Sequence, residues 1–205
     1  MRKRILAIAT AVTLATSTQM TAAFADAAKP GQSMTHMKTA PGLTATLENA
    51  GVILYVQGGA TAAVMGDSIS AANGQMVFHI PVTGTKTGVE HIGSNIVFFN
   101  YTNNQQVQLR NPLIDLKNGV INAVIPQGTG QSIPVLTITN ASSLKAKITN
   151  DRKAKLRSTV YSGATLALAP GVGAALASLL GLPEGSLPDG LTFGSADVSL
   201  YRAIK

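Results

Sequence analysis

The sequence predicts an all-β fold: an antiparallel β-sandwich of about ten short strands with one short helix near the C-terminus. Three observations lead there. Short β-branched and apolar runs follow one another from Gly51 to Leu168, Gly- and Asn-rich turn signals separate them, and a good helical period occurs once. Such a succession lacks the strand–helix alternation of a parallel sheet.

The first runs are Gly51 to Val56 and Ala60 to Met65, with Gly58-Gly59 between them as a hairpin turn. Met76 to Val82 follows Asn73-Gly74, and Asn95 to Tyr101 is apolar on both faces, as a covered strand should be. Gln105 to Arg110 sets Gln106, Gln108 and Arg110 on one side and Val107 and Leu109 on the other, a half-buried strand. Leu113 to Leu116, Val120 to Ile125, Ile133 to Thr139, Leu144 to Ile148, Ser158 to Tyr161 and Thr165 to Leu168 continue the series, and Asp197 to Tyr201 ends it. The helix starts near Pro170, repeats apolar residues at Val172, Leu176, Leu179 and Leu180, and stops at Gly181 before Pro183. It is expected to cross an open end of the sandwich.

Three segments organise the chain. Residues 1–25 read as a secretory signal peptide: Arg2, Lys3 and Arg4, then the apolar run Ile5 to Ser17, then the small-residue site Ala23-Phe24-Ala25. That run is shorter than the roughly 20 residues that span a bilayer, and no later stretch is long and apolar enough. Residues 26–42 are polar and small, with Pro30, Gly31, Pro41 and Gly42, and read as a flexible linker. Residues 43–205 form the sandwich domain, large enough to bury a core without staples. Cysteine is absent, which removes disulfides, thiol nucleophiles and lipoprotein acylation. A secreted destination follows, either released or held non-covalently at the envelope.

Three of the chain's 16 basic residues belong to the signal, leaving 13 against 9 acidic residues and a net charge of +4. Lys145, Lys147, Arg152, Lys153, Lys155 and Arg157 crowd together around the single Asp151. The functional reading is contact with an anionic cell-wall polymer or envelope surface. The plainer reading is a solvated strand face, in which Lys145 and Lys147 alternate with core-directed Leu144, Ala146 and Ile148. Nucleic acid is not an expected partner, because only Tyr161 lies near the run to stack on bases.

Catalytic and metal constellations are poorly formed. No catalytic residue and no metal site is expected. Val64-Met65-Gly66-Asp67-Ser68-Ile69 resembles the nucleophile block of the Gly-Asp-Ser serine hydrolases, which would make Ser68 a nucleophile. That family takes the serine proton with a histidine in a late Asp-x-x-His element, and the last histidine here is His91. A turn between strands explains Gly66-Asp67-Ser68 more simply. His36, in the linker, His79, on the water side of its strand, and His91 share no ligand spacing, and the carboxylates are scattered singly.

Gly88 to Phe98, Val107 to Leu116, Gly119 to Ile125, Gly163 to Pro170 and Gly194 to Val198 resemble the secreted all-β domains of actinobacteria that include the HtaA haem-uptake family. The resemblance implies an all-β module and haem as a cofactor, with iron held by a tyrosine that a histidine supports. His91 falls at the family's His-x-Gly element; Tyr55, or Tyr101, would be the tyrosine. The family's block of Trp followed by Ser-Phe-Arg-x-Tyr is missing, and the chain has no tryptophan. The leading expectation is therefore a secreted, non-enzymatic, envelope-associated structural or binding module without a cofactor. Haem carriage by His91 is the alternative, and a Ser68 hydrolase the second.

Overall fold

In the computed structural model, residues 32–64 and 75–204 are described; the signal segment and the Gly66-Asp67-Ser68 block lie outside them. Twelve strands are seen among the described residues: β1 (Met34–Thr39), β2 (Val52–Gly58), β3 (Thr61–Val64), β4 (Met76–Pro81), β5 (Val89–Glu90), β6 (Ser94–Asn100), β7 (Gln105–Asp115), β8 (Val120–Val124), β9 (Ser132–Ile138), β10 (Lys147–Asp151), β11 (Leu156–Leu168) and β12 (Thr192–Ala203). Two helices accompany them, α1 (Leu43–Asn49) and α2 (Val172–Leu180).

All pairings are antiparallel, in the order β2-β6-β7-β8-β9-β11-β12-β1-β4-β3, with β10 added to β11 and β5 to β7. The all-β antiparallel fold and the helix near the C-terminus are as the sequence reads. The two layers are halves of one continuous sheet that nearly closes on itself. Its interior is filled by alternate residues from strands all round, among them Leu54, Phe78, Phe98, Leu109, Leu136, Leu166 and Phe193. Each such side chain contributes roughly 1.5–3 kcal/mol on leaving water.

Several expectations need correction. Residues 26–42 are not linker throughout, because Met34–Thr39 forms β1 between β12 and β4. Thr35, Met37 and Thr39 are buried while His36 and Lys38 are half-buried, an alternation masked by two inward threonines. A second helix, α1, buries Leu43, Thr44 and Leu47. Gly58-Gly59 is no hairpin: β2 pairs with β6 and β3 with β4, so this link crosses from one end of the sheet path to the other. Gly58 has φ 75°, and a Cβ there would collide with the Gly93 carbonyl oxygen.

Two pairs of expected strands are single long ones. β7 runs through Asn111-Pro112, where the register shifts and Asn111 takes φ 50°. Proline lacks the amide a ladder needs, and a bulge accommodates it. β11 joins its two halves across a register shift between Tyr161 and Ala164.

α2 covers one end of the sheet against β6 and β7, burying Val172, Leu176 and Leu180. Gly181, at φ 65°, ends it, and the side-chain amides of Asn100 and Asn103 donate to the Leu180 carbonyl at 2.8 and 2.9 Å. At its start the Gly171 amide donates to the Asp189 carboxylate at 2.9 Å.

Candidate functional site

The cationic run folds into a ribbon. β10 pairs with β11 alone, from Lys147 opposite Val160 to Asp151 opposite Leu156. The Asp151 carboxylate accepts from the Ala154 amide at 2.9 Å and Lys155 adopts φ 51°, which closes the turn between the strands. Every residue of β10 is exposed, on both faces. The expected alternation with a core therefore fails: Ala146 is exposed, and Ile148 is 51% exposed.

Lys145, Lys147, Arg152, Lys153, Lys155 and Arg157 are all exposed, and none has an ion-pair partner among the described residues. The structure adds a seventh cation that the local run does not contain. Register sets Arg202 of β12 directly opposite Arg157 of β11. Like charges facing each other across strands oppose pairing, by a few tenths of a kcal/mol up to about 1 kcal/mol. Only the pairing of remote strands reveals this neighbour, so the local sequence carries no signal for it.

His91 has a different environment. It is 1% exposed, between β5 and β6, and both ring nitrogens are engaged. The Pro112 carbonyl can only accept, so Nδ1 carries the proton and donates to it at 2.9 Å; Nε2 accepts from the Thr35 hydroxyl at 2.8 Å. Burial holds its pKa below the usual histidine value. Tyr55 donates to Gln106 Oε1 at 3.1 Å from the outer side of β2, opposite Val97 of β6. Tyr101, 51% exposed, donates to the Glu48 carbonyl at 3.1 Å.

The two tyrosines and His91 thus make no common site. The cavity beside His91, walled by Met37, Ile96, Leu109 and Val135, holds about 20 Å³. Small-molecule sites occupy roughly 300–1,000 Å³. These residues do not fit a haem.

The remaining histidines meet unexpectedly. His36 of β1 lies opposite His79 of β4, their rings edge-to-face with centroids 4.7 Å apart. His79 is half-buried rather than turned to water, and its Nδ1 is buried without a hydrogen-bond partner. Desolvation, then the charge of His36, lowers its pKa. No group of three histidine or carboxylate side chains that could hold a metal is found among the described residues.

Comparison with known proteins leaves the assignment to this geometry. No protein-family profile and no curated protein matches the chain. Among solved structures, the chain is similar to the C-terminal domain of HtaA from Corynebacterium glutamicum, with a TM-score of 0.39 and 12% identity over 82% of this chain and 96% of that one.

Proposed function

We propose that this protein is a secreted, non-enzymatic binding module that attaches to an anionic polymer of the cell envelope through the β10–β11 ribbon. The observation that carries the reading is a ribbon on which, with Lys145 just before it, six cations stand exposed and unpaired around one acidic residue, itself occupied by the turn. The leader-like first 25 residues supply the export half of the reading. A single exposed charge pair at 4 Å is worth about 1 kcal/mol in water. Several such contacts along a polyanion add up, and salt weakens them together.

Protein starting at Asp26, mixed with purified cell walls, is expected to sediment with them at low ionic strength. Release is expected near 1 M salt, where the screening length falls to about 3 Å. A variant with Lys145, Lys147, Lys153 and Lys155 changed to Gln should stay in the supernatant while melting as the parent does. Absence of retention at low salt ends the envelope reading.

A further inference from the structure

A polar cleft of about 300 Å³ opens where the outer ends of β11 and β12 meet the loop between β4 and β5. Arg157 and Arg202 form one wall, Thr159 and Thr85 add hydroxyls, and Leu200, Tyr201 and Ser33, whose hydroxyl accepts from the Tyr201 amide at 2.9 Å, complete the lining. No carboxylate of the described residues lines it. Glu90, near the loop's end, is turned back into the loop, accepting from the Thr87 amide at 3.1 Å and its hydroxyl at 2.8 Å. We propose that this cleft is a phosphate-binding site in which the Arg157 and Arg202 guanidiniums, side by side on one wall, together grip one phosphate group. The identity of the phosphate's bearer rests on the envelope reading above; the site itself does not.

Four features favour this chemistry. The two arginines sit on hydrogen-bonded neighbouring strands, about 4.8 Å apart, so their forks can converge on one small anion. A carboxylate offers one two-oxygen edge for a bidentate fork, whereas a phosphate, with more oxygens and more charge, presents a separate edge to each of two forks and an oxygen for a hydroxyl. Bound phosphate would also cancel the repulsion that register imposes on Arg157 and Arg202. The volume exceeds a bare phosphate and leaves room for the chain or headgroup that carries it.

The test is titration calorimetry with inorganic phosphate and with glycerol phosphate, using acetate as the control anion. Saturable one-to-one binding of both phosphates, with acetate far weaker, is expected. The charge-preserving double variant Arg157→Lys and Arg202→Lys should bind roughly tenfold more weakly or worse, with an unchanged melting temperature. Equal binding by that variant, or equal binding of acetate, overturns the site.

The lysine-to-Gln ribbon variant separates the two readings. It should keep phosphate binding while losing wall retention. Loss of retention by the wild type with phosphate binding intact removes the envelope reading alone, and the converse removes the cleft alone. Two further arms then identify the bearer: walls stripped of phosphate-containing polymer, and vesicles of phosphatidylglycerol. Retention that disappears on stripping assigns a wall polymer, and capture by vesicles assigns a lipid headgroup.

Discussion

The two halves of β11 live in opposite surroundings. From Ala164 to Leu168 the strand is held by β12 on one side, with Leu166 to Leu168 also paired to β9, and Ala164, Leu166 and Leu168 are buried. From Leu156 to Tyr161 it is held by β10 and β12, yet no residue there is fully buried. Backbone pairing is the more complete in the outer half, yet side-chain burial is confined to the inner one. The inner half supplies cohesion, and the outer half is free to carry charge that a core would reject. The boundary falls at Ser162-Gly163, where the register slips and the Gly163 amide donates to Asp197 Oδ1 at 2.7 Å.

Substitutions can break this contrast at graded strength. Leu166→Ala, at a side chain 1% exposed, should destabilise by about 2–5 kcal/mol in urea denaturation. A loss under about 1 kcal/mol there would mean that the inner half is not the cohesive one. At the boundary, Gly163 takes φ 73° with no atom near a would-be Cβ. Gly163→Ala should therefore cost about 1–2 kcal/mol from backbone conformation alone. An equally stable variant would show that the bulge can relax into an ordinary ladder.

Mild acid is expected to have the smallest effect, acting on the sheet body rather than the ribbon, which has no histidine. Burial keeps His91 and His79 from protonating at the ordinary value of 6.5. The unfolded chain takes up those protons first, so stability present above about pH 6.5 declines as pH falls through it. Glu90, held by the Thr87 hydroxyl, and Asp115, held by the Asn118 amide, have pKa values below the ordinary 4.5 and 3.8 and stay ionised over this window. Urea midpoints at about pH 7 and about pH 5.5 should therefore differ, and less so in His79→Gln. Identical midpoints would show that the buried imidazoles have equal proton affinity in both states.

Much of this was legible beforehand where apolar periodicity is strong: β6, β8, β9 and α2 lie within a residue or two of the stretches the sequence marks. β1 was not, because Thr35 and Thr39 point inward and read as polar. α1 has seven residues, too few for a period to register. The ribbon's cations were visible as a cluster, but their freedom from any core was not, since Ala146 and Ile148 look like buried residues until no layer is found to cover them. His91 was singled out for chemistry and instead bonds Thr35 and Pro112, neighbours that only the folded chain supplies. Arg202 went unnoticed for the same reason.

The short crossing at Gly58-Gly59 joins the two outermost strands of the sheet, β2 and β3. A sheet's unpaired rims are where foreign strands attach and fibres begin. Here the chain ties its own rims together at one corner, so neither can swing away to recruit a neighbour. A protease cut at that tie would leave β2 paired to β6 and β3 to β4 but remove the covalent link between the two rims.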